Sequence, residues 1–152
     1  MKFSNLILRI FVNTDLQKDI LFLKSIDFFG ELSISQLKKI RTHIYKKTYI
    51  KKEVIYKKGQ QARFLCIVKA GKIELDDGKN KTIIGKRDWF GNKYIFIDNE
   101  VYTNTATALE DSEILLMYRD EIEDFLEKEK GIGFNMYKEI LKTLHAMAQN
   151  ER

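Results

Sequence analysis

Proline is absent from the 152 residues, although ordinary usage of about 5% would give about eight. Tight turns must therefore be made by Gly, Asn and Asp. A single cysteine, Cys66, excludes an internal disulfide framework and any site built from several thiolates. Only two histidines are present, His43 and His145, which excludes multi-histidine zinc centres and the clusters of metal-binding histidines that cupin-type enzymes use. No apolar run approaches the roughly 18 residues of a membrane span. The longest early stretch, Leu6-Ile7-Leu8-Arg9-Ile10-Phe11-Val12, is broken by Arg9 and followed by no small-residue cleavage site. Neither a span nor a signal peptide is expected, and the chain reads as cytoplasmic. Walker-type Gly-rich loops, Gly-x-Ser-x-Gly and His-Glu-x-x-His are all missing, so no enzymatic chemistry is expected. His43 and His145 read as surface or interface residues and Cys66 as a small core residue.

What the chain does contain is a folded composition, 44% hydrophobic and 32% charged, too apolar for disorder. The net charge of +5 is unevenly spread. Residues 38–58 hold nine Lys or Arg against one acid, Glu53, whereas residues 110–129 hold nine acids against Arg119 and Lys128. Such polarity suits either solvated faces or a basic docking surface for an acidic partner.

The apolar periodicity changes along the chain. Phe3, Leu6, Ile7, Ile10 and Phe11 form one stripe of a short helix. Thr14 to Gln17 and Ser33 to Gln36 have capping-box spacing and predict helices through about Phe22 and about Tyr45. In the second of these, Leu37, Ile40 and Ile44 face inward. From Thr48 to Tyr118 the pattern shortens to strands: 54–56, 64–68, 73–75, 82–84, 102–108 and 114–118. Turn signals such as Lys58-Gly59, Ala70-Gly71 and Asp76-Asp77-Gly78 separate them, which fits a sandwich, barrel or jelly roll. Asp120 to Glu123 predicts a short helix that Gly131 and Gly133 interrupt. A last helix follows from about Phe134 to Gln149, with Tyr137, Leu141, Leu144 and Ala148 on one seam and Ile140 and Met147 widening it. That seam is a candidate surface for a homodimer or a protein partner. The expected organisation is one domain over 1–152, with helices over 1–47, the β region over 48–118 and helices over 119–152.

The order of several segments resembles the cyclic nucleotide-binding domain family, which includes sensor domains of catabolite-activator-type bacterial regulators, cyclic-nucleotide-dependent kinases and gated channels. The segments are Phe22–Ile26 with Phe28 and Leu32, Tyr49–Gly59, Phe64–Leu75, Trp89-Phe90-Gly91 and Ala106–Leu115. The resemblance covers roughly Leu16 to Met147. It implies a mainly β fold, a jelly roll with helices at both ends and a ligand chamber inside the roll. Gly59 and Gly71 would turn at positive φ, and Gly91 would let the backbone approach a ligand phosphate.

The family's phosphate-binding cassette reads Phe-Gly-Glu, a hydrophobic residue, a small residue and Leu, then an Arg followed by small residues. Its Glu takes the ribose hydroxyl, its Arg pairs with the cyclic phosphate and backbone N–H groups cradle that phosphate. The corresponding residues here are Phe90-Gly91-Asn92-Lys93-Tyr94-Ile95-Phe96, with Tyr102-Thr103 where the Arg and its small neighbour are expected. Asn92 accepts a hydrogen bond without charge, Tyr94 fills space, and Tyr102 cannot neutralise a phosphate. Phe90, Gly91, Asn92, Lys93, Tyr94, Tyr102 and Thr103 are thus the candidate ligand-binding residues of a degenerate cassette.

The resemblance and its departures together imply a non-catalytic regulatory module. It would have no cofactor and no usual binding of cyclic AMP or cyclic GMP, and it would act through protein contacts. A sensor of a cyclic nucleotide or other small ligand in a modified pocket is the alternative. More distant is a DNA-associated regulator: the family's regulators carry a helix-turn-helix after the long last helix, and this sequence ends at Arg152, so specific nucleic-acid binding is not expected.

Overall fold

The computed structural model describes residues 15–91 and 100–150. The Phe3–Phe11 stripe, the Thr14 cap, and Asn92, Lys93 and Tyr94 lie outside the described residues. A helix over residues 15–24 (α1) leads through a 3-10 turn, Asp27–Phe29, into α2, Ile34–Arg41. Eight strands follow: β1 Tyr45–Tyr49, β2 Val54–Tyr56, β3 Phe64–Ala70, β4 Ile73–Asp76, β5 Lys81–Ile84, β6 Trp89–Phe90, β7 Thr105–Ala108 and β8 Ser112–Tyr118. Helices α3, Arg119–Lys128, and α4, Lys130–Asn150, complete the order.

The strands form two four-stranded sheets, β1-β8-β3-β6 and β2-β7-β4-β5. Every pairing within them is antiparallel. The continuous apolar runs of β3 and β8 now have a reason: both faces of these strands are buried. Leu65, Ile67, Leu115 and Met117 point to the helices and join Leu23, Phe29, Leu37, Ile122 and Met136 in one core. Cys66, Val68, Ile114 and Leu116 point between the sheets and join Tyr49, Tyr56, Ile73, Phe90, Tyr102 and Ala106 in a second. A strand period of two sends alternate residues to two different cores.

The expected capping box of α2 is present. Ser33 N–H donates to Gln36 Oε1 at 2.9 Å, and Gln36 N–H donates to Ser33 Oγ at 3.2 Å. The helix nonetheless ends at Arg41 rather than near Tyr45, because Tyr45–Tyr49 pairs residue for residue with Leu116–Ser112 of β8. Sheet pairing overrides the helical pattern there. The strand expected over 102–108 begins at Thr105, and 112–113 add to the start of β8.

The last two helices also differ from expectation. The break falls at Glu129, where φ is −112° and ψ 67°, and α4 runs through Gly131 and Gly133. A Cβ at position 133 would lie 3.2 Å from the Leu126 carbonyl oxygen. Glycine there lets α4 press against α3 instead of ending a helix. At Gly71, φ is 98° and a Cβ would overlap Ser112, so the β3–β4 turn tolerates no side chain. Among the described residues, no helix is long and apolar enough to cross a membrane.

Candidate functional site

Phe90 and Tyr102, two of the residues expected to face a ligand, lie with Tyr56 and Phe64 at one end of the space between the sheets. Tyr56 comes from β2, Phe64 from the start of β3, Phe90 from β6, and Tyr102 from the segment before β7. Tyr102 is fixed from both sides of its backbone. Its N–H donates to the Gln60 carbonyl at 2.9 Å, and its carbonyl accepts from Gly59 N–H at 2.8 Å. Its side chain therefore has one direction open to it, into the sandwich.

There the ring stacks on Tyr56, with centroids 3.8 Å apart and planes 11° from parallel. Phe64 meets Tyr102 at 5.8 Å, and Phe90 meets Tyr56 at 6.0 Å. Tyr102 is 2% exposed and Tyr56 3%. Both hydroxyls are satisfied by the protein itself. Tyr102 Oη donates to the Phe64 carbonyl at 3.0 Å and accepts from the N–H groups of Arg63 and Phe64, each at 3.3 Å. Tyr56 Oη donates to Asn104 Oδ1 at 2.9 Å and also lies against the Gly91 backbone N–H. Gly91 takes a φ of 104°, and a Cβ on it would sit 3.2 Å from the Phe64 carbonyl oxygen. The close approach that this glycine permits is to β3.

Among the described residues, the lining of this space is electrically neutral. Burial pushes the phenols of Tyr56 and Tyr102 well above their ordinary range, and Tyr49 up to about 12. The Cys66 thiol is likewise raised by burial. Besides the tyrosine phenols and the Cys66 thiol, Ser112 is the one buried polar side chain among the described residues, and none of these is a cation that could meet a buried anion. A shallow cleft of about 390 Å³ adjoins the stack, where exposed Gln60, Gln61 and Arg63 surround the edges of Tyr56, Phe64 and Tyr102.

Of the candidate ligand residues, Phe90, Gly91 and Tyr102 converge, whereas Thr103 is exposed and its neighbour Asn104 makes the interior bond. Sequence reasoning missed Tyr56, Phe64 and Asn104. The apolar run Val54-Ile55-Tyr56 carried a weak signal for Tyr56. Nothing local marked Asn104.

On α4, Tyr137 and Leu141 are exposed and Leu144 is half-buried. Ile140 is not part of the seam. At 7% exposure it packs in the helix-side core with Ile132 and Met136. It sits one residue before the seam position Leu141 and faces inward. Phe134, unassigned from the sequence, is the most exposed aromatic of the helix. The Met147 side chain lies outside the described residues.

A family model, the cyclic nucleotide-binding domain, matches residues 46–129. The anaerobic regulatory protein of Bacillus subtilis (strain 168) is 29% identical over 112 residues, 70% of this chain and 43% of that protein. The chain thus spans less than half the length of that relative. The N-terminal domain of a transcriptional regulator from Streptomyces coelicolor A3(2) superposes with a TM-score of 0.74 at 19% identity, covering 86% of this chain and 95% of that one. The Thermus thermophilus catabolite activator protein gives 0.68 at 18% identity, covering 82% and 61%.

Proposed function

The chain belongs to the cyclic nucleotide-binding domain family, and we propose that it is a non-catalytic regulatory module whose ligand chamber is closed by its own aromatic side chains. It does not take up cyclic AMP or cyclic GMP in the family's usual way, and it acts through protein contacts on its helical side.

The observation that carries this reading is the Tyr56–Tyr102 stack. Tyr102 stands where the family resemblance puts the phosphate-binding Arg. Its ring is buried against Tyr56 at 3.8 Å and its hydroxyl is bound to the start of β3. A cyclic nucleotide entering here would have to displace that stack and break three hydrogen bonds of the Tyr102 hydroxyl. Its phosphate would then meet no charged partner from position 102. Losing one side of a buried charge-assisted pair typically costs about 2–5 kcal/mol, roughly 30-fold to several thousand-fold in affinity. The Gly91 N–H, at the start of the cassette, is directed to the Tyr56 hydroxyl.

Calorimetric titration of the protein with cyclic AMP and with cyclic GMP tests the proposal. Absence of saturable heat, with an unchanged melting temperature, is expected. Micromolar or tighter binding of either nucleotide would overturn it. A second reading, a sensor of another small ligand, draws on the cleft beside Tyr102 with its Gln60, Gln61 and Arg63 edges. That reading requires a ligand that leaves the stack in place.

A further inference from the structure

We propose that the groove between α1 and α2 is the docking site for the chain's own residues 3–11. This goes beyond the proposed function and does not depend on the closed chamber.

The groove has a volume of about 300 Å³ and is lined by Leu16, Gln17, Ile20 and Leu21 of α1 and by Ile34 and Lys38 of α2. Leu16 and Ile20 lie one turn apart on α1, as do Gln17 and Leu21, so α1 presents two adjacent ridges to it. Ile20 is buried in the helix-side core, and Leu16 packs against that core. The outer walls stay in water: Leu21 is 66% exposed and Ile34 47%. Lys38 is the one charge of the lining. An occupant is therefore selected by apolar surface rather than by charge.

The sequence supplies such a surface close by. Phe3, Leu6, Ile7, Ile10 and Phe11 make one apolar stripe at helical spacing, and residues 12–14 alone separate it from α1. Four Cα steps hold Phe11 within about 14 Å of Asp15, where the groove begins with Leu16 and Gln17. A connection of that length is in the usual range for two helices packed antiparallel. The antiparallel arrangement sets a register. Phe11 and Ile10 come opposite Leu16 and Gln17, and Ile7 and Leu6 opposite Ile20 and Leu21. The tether decides between occupants. A short linker presents its segment at an effective concentration in the millimolar range, far above that of a second copy or a free partner in dilute solution.

Nuclear Overhauser contacts in the full-length wild-type chain test this without any variant. Methyl groups of Leu6, Ile7 and Ile10 should contact those of Leu16, Leu21 and Ile34. Cross-linking gives a second readout, and Cys66 is buried and stays out of it. Leu6→Cys with Leu21→Cys should close a disulfide within one chain. Leu6→Cys with Leu141→Cys, an exposed position on α4, should not. Trypsin cleavage after Arg9 reads how often the segment leaves the groove. It should be slow in the wild type and about tenfold faster in Ile34→Ser, which removes an exposed apolar wall and leaves the core intact. Ile83→Ser, at an exposed position on β5, should leave the rate unchanged. Wild-type contacts that run to the Phe134–Leu141 face of α4 instead, or no contacts with the groove at all, would overturn the proposal. Cross-linking to position 141 rather than 21, or equal cleavage rates in the wild type and Ile34→Ser, would do the same. So would a Leu6→Cys, Leu21→Cys disulfide formed between two chains, since a second copy would then fill the groove.

Discussion

Replacing Tyr102 separates a packed interior from a ligand-ready one. The side chain is 2% exposed, stacks on Tyr56 at 3.8 Å and has three hydrogen bonds through its hydroxyl. Truncating a buried aromatic to Ala costs about 3–5 kcal/mol, transfer and cavity together. Tyr102→Phe keeps the ring and removes the hydroxyl, leaving the Phe64 carbonyl without that partner, for about 1–2 kcal/mol. Urea unfolding followed through the single tryptophan, Trp89, reads both variants. The expected order is wild type, then Tyr102→Phe, then Tyr102→Ala, with about 2 kcal/mol or more between the last two, the part carried by ring and cavity. A Tyr102→Ala variant within about 0.5 kcal/mol of wild type would place the ring outside the packed interior and refute the closed chamber. Equal losses in both variants would mean that the hydroxyl, not the ring, holds the site.

Three further outcomes follow from local geometry. Burial alone would push the Asp19 carboxyl up, but Arg41 Nη2 at 2.6 Å and Lys69 Nζ at 3.2 Å outweigh it and hold it below its ordinary value. A lowered folded value means stability that is present above the unfolded value of 3.8 and is lost as pH falls through the folded one. Unfolding free energies measured down to about pH 2 should therefore fall less steeply for Asp19→Asn than for wild type. Gly71→Ala should destabilise more than Gly59→Ala by thermal melting, because both sit at positive φ but only position 71 meets Ser112. Cys66, fully buried with its thiol raised by burial, should react with an aromatic disulfide reagent only at the rate of unfolding; rapid native-state labelling would contradict that burial.

How much was legible in the sequence differs between elements for physical reasons. β3 and β8 were readable because both-face burial demands apolar runs, and β2, β4 and β5 because Gly59, Gly71 and Gly78 mark the turns beside them. β1 was hidden. Four of its five residues are exposed, and it exists because β8 offers it a partner, a fact that no local window contains. The two α4 glycines read as breakers from propensity, whereas Gly133 serves a close helix approach. At the site, Tyr102 was found by counting along a family pattern. Its partner Tyr56 lies 46 positions earlier and is brought to it by the pairing of β2 with β7.

The two cores share β3 and β8, and this bears on how such a module responds. In the helix-side core Leu65, Ile67, Leu115 and Met117 meet α2, α3 and α4, while their neighbours in sequence meet the tyrosines between the sheets. A ligand inside the sandwich would act on the helices through these strands. On the proposed reading that input is absent, because the described residues between the sheets fill the interior and carry no charge there. The helical layer has its own exposed ties instead: Lys39 to Glu129 at 2.9 Å and Lys138 to Glu31 at 3.0 Å. Each such pair is solvent-exposed, contributes little and weakens with salt. A partner that places cations at the acidic end of α3 would compete with Lys39 for Glu129 at small cost. The outer face of this chain is therefore easier to shift than its interior, the reverse of a domain whose charged ligand is enclosed by the roll.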